Sequence, residues 1–175
     1  MSLTPLLKPS SIAIIGASST PTRVGGIPLH LLKDAGFENL YPVNPKSTEI
    51  AGITCYPDIE SIQKPVDLVL LAISAKDTVP YLERCHACGV KAAVVFAAGF
   101  AETNEPEGIA LQDELTAFAK RTGMRISGPN CMGNANFVDG IFTTFGTSFR
   151  PGDPAGNVAL LTQSGNMCAS MYRMA

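Results

Sequence analysis

The stretch Ser10-Ser-Ile-Ala-Ile-Ile-Gly-Ala-Ser-Ser-Thr-Pro-Thr-Arg-Val-Gly-Gly26 constrains this chain more than any other. Ile12 to Ile15 is a short apolar run, mostly β-branched, and reads as a buried parallel strand. The pattern breaks at Gly16 into small hydroxylated residues. Gly25 and Gly26 then open a helical spacing through Leu29, Leu31 and Leu32. Strand, small-residue loop and helix start together form an anion site, because free N–H groups and the helix dipole face the loop. The expected guest is phosphorylated, and a nucleotide suits it. The glycines do not fit G-x-G-x-x-G, since Gly16 is followed by Ala17-Ser18-Ser19 and the next glycines come only at Gly25-Gly26. A tight connection without a ligand is the plain alternative.

The rest of the chain repeats the alternation of apolar run and helical spacing, which predicts an α/β protein with a doubly wound, mostly parallel sheet. Strands are expected at Ser11 to Gly16, Leu40 to Val43, Asp67 to Ile73, Lys91 to Ala97 and Arg125 to Ser127. Helices are expected at about Gly25 to Ala35, Thr78 to Cys88 and Pro106 to Thr122. Gly36, Gly89 and Gly123 stand where helices end. Ile53 to Tyr56 reads as a short extended piece, Ile59 to Gln63 as a helical turn or two, and Asn136 to Phe145 as a strand or hairpin. Residues 1–150 then form one domain. Pro151-Gly-Asp-Pro-Ala-Gly156 is a turn-rich linker. Residues 157–175 are expected to hold a strand, Asn157 to Thr162, and a helix start after Gln163-Ser-Gly165, as the opening of a truncated second α/β domain.

Composition narrows the function. Net charge is −2 over 175 residues, so no basic field draws nucleic acid. A helix-turn-helix has no room before the first strand. No apolar run reaches the roughly 18 residues of a membrane span, and the N-terminus lacks a signal-peptide layout, so the cytoplasm is the expected compartment. The five cysteines are odd in number and scattered, which argues for reduced thiols. Cys85-His-Ala-Cys88 has C-x-x-C spacing, but at a helix C-terminus, where the dipole raises a thiol pKa instead of lowering it. These thiols read as small apolar fillers, and no metal site is expected because the only other histidine is His30.

Ligands of doubly wound sheets bind beyond the carboxyl ends of the strands. There the sequence places Gly16-Ala17-Ser18-Ser19 with Arg23 behind it, then Asn44-Pro45-Lys46, Ser74, Ala98-Gly99-Phe100-Ala101-Glu102, and Gly128-Pro129-Asn130-Cys131-Met132-Gly133. An NAD site puts an acid roughly 20 residues past the glycines. This chain has Asn44 and Lys46 there, and a cation suits an added ribose phosphate, as in NADP or coenzyme A. A hydride enzyme needs an acid or base beside the substrate. Only Glu102 and Cys131 are in such loops, and Cys131 has no paired base, so no catalytic residue is assigned.

Gly16-Ala-Ser-Ser, Val43-Asn-Pro-Lys46, Val94-Val-Phe-Ala-Ala-Gly-Phe-Ala-Glu102, Gly128-Pro-Asn-Cys-Met-Gly133 and Gln163-Ser-Gly165 together resemble the CoA-binding domain of NDP-forming acyl-CoA synthetases, which include ADP-forming acetyl-CoA synthetases and the α subunit of succinyl-CoA synthetase. The resemblance runs in order over almost the whole chain. It implies a Rossmann-like domain holding CoA through Gly16, Ala17, Ser18, Ser19, Arg23, Val24, Asn44, Pro45, Lys46, Ile73, Ser74, Ala98, Gly99, Phe100, Glu102 and Asn130. In that arrangement the phosphates lie near Gly16 to Ser19 and Arg23, the adenosine end near Lys46, and the thiol end near Asn130. The family joins a carboxylic acid to CoA with cleavage of ATP or GTP, through an acyl phosphate and a phosphohistidine. It implies that ATP and Mg belong to other domains, that His30 and His86 take no role, and that this chain binds CoA without catalysing. A carboxylic acid substrate, a ligase partner domain or subunit, or a homo-oligomer are the partners implied. An NADP-dependent oxidoreductase domain and a stand-alone CoA- or nucleotide-sensing module are the rival readings.

Overall fold

The apolar runs pair as parallel neighbours. The computed structural model describes residues 2–174. Its elements are α1 (Thr4–Leu7), β1 (Ile12–Ile15), α2 (Ile27–Asp34), β2 (Leu40–Val43), β3 (Glu49–Ile50), β4 (Ile53–Thr54), β5 (Leu68–Leu71), α3 (Ala75–Ala87), β6 (Ala92–Val95), α4 (Pro106–Thr122), β7 (Arg125–Ser127), β8 (Gly133–Asn136), β9 (Ile141–Thr144) and α5 (Gly165–Met174). A 3₁₀ turn, Glu60–Ile62, fills the place of the expected turn at Ile59 to Gln63. The main sheet has five strands in the order β2-β1-β5-β6-β7, and all its pairs are parallel.

Both faces of this sheet are covered, which is why β1, β5 and β6 are apolar at every position. Strand residues alternate between two cores. Ala13, Ile15, Val69, Leu71, Ala93 and Val95 meet Val79 and Leu82 of α3 and Leu115 and Phe118 of α4. Ile12, Ile14, Leu68 and Leu70 meet Leu29 and Leu32 of α2. The fold is therefore the doubly wound, Rossmann-like α/β sheet that the alternation predicts. Leu82 is fully buried, and truncation there to Ala costs about 2–5 kcal/mol.

Boundaries shift by a few residues. α2 starts at Ile27 instead of Gly25, and α3 starts at Ala75 instead of Thr78, despite Pro80 inside it. β8 and β9 form the hairpin, antiparallel, with Gly133 opposite Thr144. The strand expected at Asn157 to Thr162 is not formed. Among the described residues no strand pairs with that segment, and its Val158 and Leu161 are 87% and 100% exposed. α5 instead folds back on the hairpin. Tyr172 stacks on Phe137 at 5.1 Å and donates to Asp153, while Arg173 reaches Ser148 at 2.7 Å.

Candidate functional site

The chain leaves β1 toward β2 on one side and places β5 on the other. At such a reversal the outgoing loops part and open a crevice beyond the carboxyl ends of the strands. A cleft of about 490 Å³ lies there, lined by Ile15, Gly16, Val43, Asn44, Pro45, Lys46, Ile73, Asp77, Pro80, Tyr81 and Arg84. That volume falls in the range of small-molecule and cofactor sites, about 300–1,000 Å³. A smaller hollow of about 320 Å³, beside Asp34 and Phe137, is at the opposite end of α2.

Gly16 makes the cleft floor. Its φ is +80°, and a Cβ there would come within 2.5 Å of the Ala72 carbonyl oxygen. Only glycine lets the loops after β1 and β5 approach this closely. Gly25 serves the same loop, since a Cβ on it would collide with the Gly16 carbonyl oxygen. The spacing that fails the dinucleotide fingerprint is thus a packing requirement of a longer loop. The loop closes on itself, with Ser18 N–H donating to the Gly25 carbonyl at 3.3 Å and Thr20 N–H to the Ser18 hydroxyl at 3.1 Å.

The start of α2 does not present the expected set of free N–H groups. Gly26 and Ile27 both donate to the Arg23 carbonyl, and Pro28, in the first turn, has no N–H to give. The dipole remains, but few donors do.

The predicted residues divide by position. Gly16, Asn44, Pro45, Lys46 and Ile73 line the cleft. Asn44 ties its two sides together, donating to the Ala17 carbonyl at 2.8 Å and accepting from Lys46 N–H at 2.9 Å. Among the described residues Lys46 makes no ion pair. Ala17 is buried, so only its backbone faces the loop, whereas Ser19, Arg23 and Val24 are exposed and Ser18 is half-buried. None of these five lines the cleft. Ser74 is the N-terminal flank of α3 and donates to the Asp77 carboxylate at 2.5 Å.

The loops after β6 and β7 form the continuing rim. Gly99 packs near Ala75, at 3.5 Å from where its Cβ would be. Asn130 N–H donates to the Ala97 carbonyl at 2.8 Å, joining the two loops. Ala98 and Asn130 are exposed. Phe100 is fully buried among α3 and α4 side chains, so it can offer a ligand only backbone. Glu102 folds back and accepts from Gly99 N–H at 2.6 Å and Phe100 N–H at 3.1 Å. Desolvation raises its pKa, but the backbone donors Gly99, Glu102 and Phe100 together outweigh it and hold the carboxyl below its usual value.

The other reactive groups point elsewhere. The Cys131 thiol sits 3.5 Å from both the Val95 and Ser127 carbonyls, and burial pushes its pKa up. Cys85 is a buried filler, as expected, with burial pushing its thiol up to about 12. Cys88 departs from that expectation: it follows α3 as an exposed residue, because the helix ends there. His86 rests edge-on against Phe118. Among the described residues no group of acidic, histidine and cysteine side chains could hold a metal, and no helix is long and apolar enough to cross a membrane.

Sequence reading missed the α3 wall. Asp77, Pro80, Tyr81 and Arg84 fall on one helix face at i, i+3, i+4 and i+7. That spacing is visible in the chain, but it looks the same for a face turned to solvent. Arg84 donates from Nε and Nη2 to the two Glu60 oxygens at 2.8 and 2.6 Å. Hydrogen bonding to Arg84 holds the Glu60 carboxyl below its usual value.

The chain is similar to known proteins in sequence and in fold. The CoA binding domain family matches residues 10–136. An ADP-forming acetate–CoA ligase of Methanocaldococcus jannaschii is 39% identical over 157 residues, which is 90% of this chain and 21% of the ligase. The α subunit of ADP-forming acetate–CoA ligase II of Pyrococcus furiosus is 37% identical over 93% of this chain and 35% of the subunit. The structure of a dinucleotide-forming acetyl-coenzyme A synthetase 1 of Ca. Korarchaeum cryptofilum, in complex with phosphate and ADP, superposes with a TM-score of 0.88. It is 33% identical and is matched over 99% of this chain and 36% of its own. The chain thus spans about a fifth to a third of the length of the relatives it matches.

Proposed function

The chain belongs to the CoA-binding domains of ADP-forming acyl-CoA synthetases, and on that premise we propose that it holds CoA for a longer ligase without turning over by itself. The observation that carries the proposal is Lys46, which makes no ion pair among the described residues and lines the switch-point cleft where an NAD site would carry a carboxylate. A 3′-phosphate on the ribose is the group that such a cation suits. Gly16 to Ser19 and Arg23 take the pyrophosphate, with Val24 at the turn behind them. Asn44, Pro45 and Lys46 take the adenosine end. Ile73, Ser74 and the Ala98 to Glu102 loop line the path to Asn130 at the thiol end.

The ligase chemistry joins a carboxylic acid to CoA with cleavage of ATP, by way of an acyl phosphate and a phosphohistidine. This chain contributes the thiol carrier and its orientation. ATP, Mg and the acid belong to further domains or to a partner subunit, a division supported by the α-subunit relative. Residues 1–150 are the CoA-holding unit, 151–156 a linker, and 157–175 the opening of the next domain. A cytoplasmic setting suits this metabolism. An assay of CoA-dependent ADP formation tests the division: none is expected from the 175-residue chain, and turnover by it alone would refute the proposal.

A further inference from the structure

We infer that the Arg84 guanidinium seats the adenine ring of CoA, and that Glu60 is the positioning residue that presents it. The inference rests on the CoA reading above and assigns a part of the cleft which that reading left without a role.

Arg84 lines the cleft on the α3 wall. Its Nε–Nη2 edge is held by the two bonds to Glu60, with Asp58 3.8 Å from Nη2. Its central carbon lies over the Tyr81 ring, 4.8 Å from the ring centre. The side chain is nevertheless 44% exposed, so these partners do not close the guanidinium off. A planar cation fixed at its edge and backed by an aromatic ring is a stacking surface, and stacking accepts a base by its π-face.

Charge separates this surface from the phosphate seat. Glu60 and Asp58 offset the charge of Arg84. Lys46 lines the same cleft with no ion pair among the described residues. The phosphate therefore goes to Lys46 and the base to Arg84. The fork geometry matters, because a lysine would keep the charge and lose the plane.

The test is titration of the full chain with CoA, dephospho-CoA and 4′-phosphopantetheine, using wild type, Arg84→Lys and Glu60→Gln, with thermal melts to show that each variant folds. Wild type should bind both adenosine-bearing ligands more tightly than 4′-phosphopantetheine. Arg84→Lys should weaken CoA and dephospho-CoA by the same factor, about tenfold, and leave 4′-phosphopantetheine unchanged. Glu60→Gln should show the same pattern with a smaller loss. Equal weakening of all three ligands would mean that the Glu60–Arg84 pair merely tethers its segment to α3, and would overturn the inference. So would unchanged CoA binding in a folded Arg84→Lys variant. Wild type that binds none of the three overturns the CoA reading as well, whereas wild type that binds CoA beside indifferent variants overturns this inference alone.

Discussion

The side-chain amide of Asn44 donates a 2.8 Å hydrogen bond to the carbonyl of Ala17. It joins the loop after β2 to the loop after β1 across the mouth of the cleft. Its oxygen meanwhile holds Lys46 N–H at 2.9 Å, so one side chain sets both the loop after β1 and the backbone of the cation beside it. Asn44→Ala removes two hydrogen bonds worth about 0.5–1.5 kcal/mol each. The expected outcome is a small fall in melting temperature and a several-fold loss of CoA affinity. Asn44→Asp keeps the acceptor, loses the donor and adds a negative charge, so its affinity for CoA should fall further still. Calorimetric titration of both variants checks the order.

Gly25→Ala should be far more damaging than its size suggests. The added methyl meets the Gly16 carbonyl oxygen, which is backbone and cannot swing away. Either the loop shifts and the cleft floor is lost, or the chain is destabilised by about 1–3 kcal/mol, the cost of overpacking. Denaturant unfolding with a parallel CoA titration reads both. Unchanged stability with unchanged binding would contradict the packing role given to this glycine.

Much of this architecture was legible in the chain. Ile12 to Ile15, Leu68 to Leu71 and Ala92 to Val95 are apolar without alternation, which is what a sheet covered on both faces requires. Gly36, Gly89 and Gly123 mark helix ends, and α4 runs over the predicted span. The strand at Asn157 to Thr162 failed because apolar content alone does not make a strand. A strand needs a neighbour, and among the described residues none pairs with this one. The candidate cleft was legible on the β1 and β2 loops, where Gly16, Asn44 and Lys46 follow apolar runs and line it. It was not legible on α3, because Arg84 finds Glu60 only through a contact 24 positions away, and helix spacing does not say which face looks into a cleft. The donors expected at the start of α2 were misjudged because the Arg23 carbonyl captures two of them.

The cysteines should separate cleanly by reactivity. Cys85 is fully buried, and burial pushes its thiol up to about 12. At pH 8 it carries almost no thiolate. Cys88 is exposed and should be alkylated well before Cys85, which should react only on unfolding. Mass spectrometry after timed iodoacetamide treatment, with and without denaturant, reads this. Rapid joint oxidation of the two thiols in the folded protein would instead point to a redox pair.

Glu102 gives a pH signature. Its carboxyl is held below its usual value in the folded chain, because the backbone donors outweigh desolvation. A depressed carboxyl stabilises the fold above the unfolded value, about 4.3, and that contribution disappears as the pH falls through the folded value. Glu102→Gln should therefore be less stable than wild type at pH 7, with the difference shrinking as the pH falls below about 4.3. Melting temperatures measured between pH 3 and 7 check it. A difference that grows toward acid would reverse the assigned sign.

Lys46 and the loops beside it are proposed to grip CoA by its phosphorylated end. The most direct measurement is calorimetric titration of wild type and Lys46→Ala with CoA, dephospho-CoA and NADPH. Wild type should bind CoA more tightly than dephospho-CoA and ignore NADPH, and Lys46→Ala should erase the preference for CoA while leaving dephospho-CoA binding nearly as it was. No heat with CoA at about millimolar concentration, which corresponds to less than roughly 4 kcal/mol of binding free energy, or tighter binding of NADPH, would contradict the account.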